Sequence, residues 1–287
     1  MMQKRTIAAY TIYLVAITVF FLYTAFPGET IRQFVNTAGA SRRQMVAVSV
    51  QQVSPRLPPG IVLKDVRLSR HDTTLLQMAR LTLTPGYLAL ATGTLAIHFS
   101  GDVHGGSASG DIRSIGSDLP EIAIRFAAID LAQLGIIKAA APERAVTGRI
   151  NGQCRIVAQP GGAVRIAIET MGTEATVGLL LPIGSIRSIP FDSLNITASV
   201  TGKTVAISSC AWKSALLAGS LSGRIGLQEP AGESTIALSG EVFPQQDLIR
   251  KLGEPLASRL FPGHRRRQNG FRITVTGTVE KPGFDIK

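Results

Sequence analysis

Residues 217–225 read LAGSLSGRI, and the period of that stretch decides the fold class. Leu217, Gly219, Leu221, Gly223 and Ile225 share one parity, while Ala218, Ser220, Ser222 and Arg224 take the other. Side chains alternate across a β-strand, so this is a strand whose apolar face carries glycine twice. The same pattern, apolar-x-Gly-x-apolar, stands at 99–103, 146–150, 150–154, 238–242 and 275–279. Its glycines are Gly101, Gly148, Gly152, Gly219, Gly223, Gly240 and Gly277. Glycine weakens a strand interior, so its return on the apolar face needs a cause. Either the strands bend there, or something approaches the backbone closely: a second sheet, a helix, an acyl chain, or another part of the same packed protein.

Working outward, the alternation begins at Val46, Val48 and Val50. Leu57-Pro58-Pro59-Gly60 is a turn, because proline fixes φ and removes donors while glycine relieves the backbone. Strands are predicted over 61–68 and 79–83 and through Leu95, Ile97 and Phe99, with a brief helical or bent excursion at 85–90. Two stretches leave the strand period. Residues 130–141 (DLAQLGIIKAAA) open on an N-capping Asp130. Residues 245–260 (QQDLIRKLGEPLASRL) place Leu248, Ile249, Leu252, Leu256 and Leu260 at helical spacing, with Pro255 expected to kink or split the helix. Each follows one alternating strand and precedes another, a strand-helix-strand unit seen twice. The reading is a mainly β body over 45–287: an elongated sheet with a few short helices on one face or edge.

Ahead of it, residues 7–26 (IAAYTIYLVAITVFFLYTAF) hold no charge. At a rise of ~1.5 Å per residue the run matches the ~30 Å hydrocarbon core of a bilayer. A cleaved signal peptide is the alternative, but the apolar run is long and ends on Phe26-Pro27-Gly28 rather than a small-x-small site. Residues 1–28 therefore read as a cytoplasmic tail and single transmembrane anchor. Residues 29–44 read as a juxtamembrane linker with a short helix through Ile31, Phe34 and Val35. Lys4 and Arg5 precede the span, so the N-terminus is expected inside and the body in a bacterial periplasm.

The chain is 17% charged and 6% aromatic, with a formal net charge of +11, which draws a protein toward anionic lipid or acidic partners. Its few aromatics, in that compartment, argue against nucleic acid. His264, Arg265, Arg266 and Arg267 form the densest basic cluster: either a solvated turn or a contact for anionic lipid or a partner. Cys154 and Cys210 allow one disulfide in an oxidising compartment, or two buried thiols. No GxSxG, P-loop, GxGxxG or HExxH is present, and carboxylates are scattered. His71, His98, His104 and His264 lack helical spacing, and His98 and His104 only flank a hairpin turn. No catalytic residue, metal site or cofactor is expected, and the chain reads as a non-enzyme.

The short tail, the anchor ending in Phe-Pro, the turn at 57–60 and the Gly-patterned strands resemble the protein N family of type II secretion systems. The closing VTGTVEKPGFDI (275–286) and the Asp130-Leu131 and Asp247-Leu248 helix starts are similar to AsmA-like periplasmic proteins. The resemblance implies a single-pass inner-membrane protein with an extended, curved antiparallel sheet. The secretion likeness implies an accessory scaffold between the inner-membrane platform and the secretin. The AsmA-like one implies an apolar groove for phospholipid or lipopolysaccharide, lined in part by Gly101, Gly148, Gly219, Gly223, Gly240 and Gly277. A scaffold would bury the apolar face under its helices, whereas a carrier would leave it open.

Overall fold

In the computed structural model the described residues are 10, 13–14, 17–18, 20–21, 23–39, 47–57, 60–70, 73–87, 89, 94–115, 120–140, 145–159, 164–261 and 270–286. They form one large curved antiparallel sheet, with short helices packed on it. The strands are β1 (Ala47–Ser49), β2 (Gln52–Arg56), β3 (Gly60–Arg70), β4 (Thr73–Pro85), β5 (Thr94–Val103), β6 (Gly106–Ile115), β7 (Glu121–Asp130) and β8 (Val146–Ala158). They continue as β9 (Val164–Ile183), β10 (Ile186–Thr201), β11 (Thr204–Lys213), β12 (Leu217–Gly226), β13 (Thr235–Pro244), β14 (Phe271–Thr278) and β15 (Pro282–Ile286). From β3 onward every strand pairs with the strand before and after it in sequence. The exception is at the start, where β1 and β2 share β3 as halves of one interrupted edge strand.

Because the sheet is a meander, alternate connections lie on the same rim. Both helical excursions fall on one of them, here termed the helical rim. After β7, Asp130 Oδ1 accepts the Ala132 N–H at 2.9 Å and starts a 3₁₀ turn, Leu131–Gln133, followed by α2 (Gly135–Ala140). After β13 come α3 (Gln246–Leu252) and α4 (Glu254–Leu260). The break between them is Gly253, at φ +75°, while Pro255 sits in the first turn of α4, where a missing N–H costs nothing. Glycine rather than proline splits this helix.

The segment expected as a linker is α1 (Gly28–Gly39), and it is part of the packed body. Ile31 and Val35 join a core with Val50, Val53, Leu63, Val66, Met78, Val103 and Ile129, while Phe34 faces out. Asn36 ties the helix to the break between β1 and β2. Its Nδ2 donates to Val50 O at 3.2 Å and its Oδ1 accepts the Val50 N–H at 2.8 Å, so one amide side chain stands in for a strand neighbour. A second core gathers Leu216, Val242, Leu248, Leu252, Ala257, Phe261 and Phe271 under α3 and α4. Phe261 and Phe271 meet edge to face at 5.3 Å.

Of the expected span, Tyr10, Tyr13, Leu14, Ile17, Thr18, Phe20, Phe21, Tyr23 and Thr24 are helical, and the Thr18 hydroxyl donates to Leu14 O at 2.8 Å. Much of the span lies outside the described residues. Among those described, no helix is long and apolar enough to cross a membrane.

Candidate functional site

The register shows what the apolar parity builds. One ladder of directly paired residues runs Val53, Leu63, Leu81, Gly101, Ala108, Phe126, Gly152, Thr170, Ile196, Cys210, Leu221, Gly240, Ile273, Ile286, one from each strand β2 to β15. A second, two residues nearer the far rim, runs Pro55, Ile61, Leu83, Phe99, Gly110, Ile124, Cys154, Ile168, Ala198, Ile207, Gly223, Leu238, Val275, Phe284. In these two rows Thr170 is the one polar side chain that keeps its place among hydrocarbons. At a strand spacing of ~4.8 Å the stripe is roughly 60 Å long.

Helices seal this face along one rim only. Val66, Met78, Val103, Ile129, Val242 and Phe271 are buried where α1, α2, α3 and α4 lie. Toward the far rim and in the middle of the sheet, Ile124, Ile156, Ile168, Ile196, Ile207, Leu221 and Leu238 stay half-buried. An apolar surface of this length left partly in water is larger than a folded domain usually exposes.

The glycines have two jobs on that face. Gly152 and Gly219 each seat a ring from the facing residue of the preceding strand on one side and approach backbone on the other: a Cβ on Gly152 would lie 2.8 Å from Phe126 Cζ and 2.2 Å from Glu169 O, and one on Gly219 2.6 Å from Trp212 Cζ2 and 2.5 Å from Glu241 O. At Gly101 and Gly277 a Cβ would meet backbone and no ring, 2.6 Å from Arg80 O and 2.7 Å from Lys281 O. Gly223 and Gly240 likewise face the backbone of Ala237 and Ser220 on neighbouring strands. Gly148 occupies a bulge at φ +124°, beside positive-φ Ala128 and Glu174 on the flanking strands. Bulges on neighbouring strands bend a sheet, so this trio works on the curvature.

Cys154 and Cys210 both face the stripe but sit on β8 and β11, separated by β9 and β10. Three strand spacings put them ~14 Å apart, twice the reach of a disulfide. The two are free thiols, and the bridge that their even count allowed does not form; burial pushes both thiols up from their ordinary pKa.

His98 and His104 do not converge. His98 Nδ1 pairs with Asp111 Oδ1 across β5 and β6, while His104 in the turn takes the Gln77 N–H at 3.4 Å. A polar pocket lined by His104, Asp130, Arg149 and Glu174 lies at the bulges, but both Asp130 oxygens are taken, by Ala132 N and Gln133 Nε2. No group of three or more metal-ligating side chains is found among the described residues. The basic cluster His264, Arg265, Arg266 and Arg267 lies outside the described residues.

A different cavity was not legible in the sequence. It measures about 460 Å³ and lies where helical Tyr23, and Phe26 in the break before α1, meet Ile61, Leu83 and Ile97 of the sheet. Ile61 and Leu83 belong to the second ladder, so the cavity is the N-terminal end of the stripe.

No family model, curated protein or solved structure matches this chain.

Proposed function

We propose that this protein is a lipid-binding module, held at a bacterial inner membrane by residues 7–26, whose periplasmic sheet carries acyl chains along its apolar face. The observation that carries the reading is the pair of apolar ladders through fourteen strands, buried at Val53, Leu63, Ala198 and Val275 and half-buried along most of the rest. Each CH₂ moved from water onto such a surface contributes up to ~0.8 kcal/mol, so a chain laid along several strands has ample driving force. Among the described residues the face brings no nucleophile together with an acid or base, and the reading is binding or transfer.

An accessory role in a type II secretion system, contacting the inner-membrane platform and secretin, is the second reading. It draws on one feature: the outer edge of β15 is unpaired among the described residues, a place for strand addition. It gives no reason for an uncovered apolar stripe, which is why it ranks second.

Trp212 makes the test direct. It is the chain's one tryptophan and stands on the stripe side of β11, packed over Gly219. It lies about nine strands, or roughly 40 Å, from β2 and the anchor exit. Full-length protein in vesicles containing phospholipid brominated along the acyl chain should show Trp212 quenching, and Ile196→Asp should abolish it. Unquenched Trp212, with purified protein free of lipid by mass spectrometry and bound to secretion components, would reverse the order of the two readings.

A further inference from the structure

We propose that the far-rim corner at the ends of β2, β4 and β5 is a membrane seat, where Leu57, Tyr87 and Leu95 dip into the surface of the bilayer that receives residues 7–26. The proposal rests on reading those residues as an anchor, and adds which part of the body touches the membrane. Exposure is the first observation. Tyr23 is 53% exposed, Leu57 56%, Tyr87 49% and Leu95 51%. Tyr23 and Leu57 line the apolar cavity. Tyr87 and Leu95 stand two residues beyond Pro85 and Ile97, which also line it and pair across β4 and β5.

The second observation is the missing polar border. On β5, Leu95 keeps the parity of Ile97 and Phe99, so the apolar face runs to the very end of the strand. One strand further on, the residue paired with Leu95 is Ser114, and the apolar margin stops there. Tyrosine and leucine tips gathered beside the end of an apolar helical run are what a bilayer interface accommodates.

Distance from the anchor says what covers the corner. Tyr23 lies in the last turn of the apolar run, where tyrosine sits at interfacial depth. A compact volume of 460 Å³ is about 8 Å across, and the headgroup layer on each side of a bilayer is ~5–8 Å thick. Leu57 lines the same cavity as Tyr23, so it too stands at that layer. A protein partner would have to share this space with lipid headgroups. Charge agrees with a bilayer: residues 33–64 hold Arg42, Arg43, Arg56 and Lys64 and no Asp or Glu, which draws this part of the chain toward an anionic surface.

The experiment uses full-length protein in vesicles of phosphatidylcholine and phosphatidylglycerol. A benzophenone-bearing phenylalanine replaces, one at a time, Tyr23, Leu57, Tyr87, Leu95 and Leu227. Leu227 is the control: it is 40% exposed on the same rim, about ten strands or roughly 50 Å along the sheet from β2. After illumination, mass spectrometry reads the fraction of protein that has gained the mass of one phospholipid. Probes at Tyr23, Leu57, Tyr87 and Leu95 should carry the adduct, and the probe at Leu227 should not. Each chain is also made with Ile196→Asp, which bars acyl chains from the stripe and should leave the corner adducts unchanged. Circular dichroism checks Ile196→Asp, with Leu221→Asp as its substitute. An adduct at Tyr23 without one at Leu57, Tyr87 or Leu95 overturns the seat while sparing the anchor and the groove. An equal adduct at Leu227 overturns it as well, since the whole rim would then lie on the membrane. Corner adducts that vanish with Ile196→Asp belong to lipid held in the groove, and they too overturn the seat. No adduct at Tyr23 overturns the anchor reading and the seat with it.

Discussion

Replacing Gly101 by alanine separates close strand packing from ligand contact as the cause of the recurring glycines. A Cβ built there lies 2.6 Å from Arg80 O and 3.4 Å from Leu81 Cα, all atoms of the paired strand β4. The closest comfortable C···O approach is ~3.3 Å, so β4 and β5 must part by about 0.7 Å at this point. Ladder bonds of ~2.9 Å then stretch past ~3.5 Å, beyond useful hydrogen-bond length. Losing two such bonds costs about 2 kcal/mol. The lower entropy of an unfolded alanine offsets ~0.4–1 kcal/mol of that. The net of about 1–1.5 kcal/mol lowers Tm by roughly 3–6 °C for a domain of this size. Gly172 is the matched control: on the same face, its nearest neighbour to an added Cβ is Leu194 Cβ at 3.4 Å, an ordinary contact. Gly172→Ala should leave Tm unchanged or raise it by roughly 1–3 °C. Thermal melts by circular dichroism in lipid-free detergent decide the matter. Equal Tm for the two variants would refute the packing argument and return the glycines to a ligand.

Three further outcomes are expected. Asn36→Ala strands the buried N–H and C=O of Val50 and should cost about 2–3 kcal/mol, with faster amide exchange confined to α1 and β1–β2; uniform exchange would show that the amide does not tie the helix down. Cys154 and Cys210 should alkylate more slowly at pH 8 than the same thiols in denaturant, because burial raises both pKa values and keeps the thiolate scarce. By linkage the neutral thiols favour the fold below the unfolded pKa of ~8.5 and that contribution fades as pH rises further; brominated or ordinary phospholipid should slow alkylation again, and no lipid effect would count against an occupied stripe. Gly253→Ala forces a side chain to φ +75° at the break between α3 and α4 and should destabilise by roughly 1–2 kcal/mol in urea titrations, whereas Pro255→Ala should shift the midpoint by less than half as much.

What the sequence discloses is parity, and what it withholds is partnership. LAGSLSGRI reveals which side chains share a face, and Asp130 and residues 245–260 reveal where the chain leaves the sheet, because those signals are local. Which residue faces which is set by turn lengths and bulges strand after strand, so the ladders and the gap between Cys154 and Cys210 emerge only from the pairing. Pro255 drew attention as the helix breaker, yet proline is harmless in a first turn and the left-handed Gly253 does the breaking. Asn36 gives no advance signal, since an amide bridging a strand break depends on a helix and an edge meeting in space. The cavity under Phe26 escapes for the same reason: its walls come from residues 23–97 and no local period joins them.

The strand order carries a consequence for how the molecule is made and how it changes. From β3 onward each strand pairs with its immediate predecessor, and several turns are two residues long, at 104–105, 184–185 and 202–203. Loop closure is therefore cheap at almost every step, and pairing can proceed hairpin by hairpin in the order in which the chain is made. No early strand waits for a late one. The same economy makes length a free variable: gain or loss of one hairpin alters the sheet by ~10 Å without rewiring the rest.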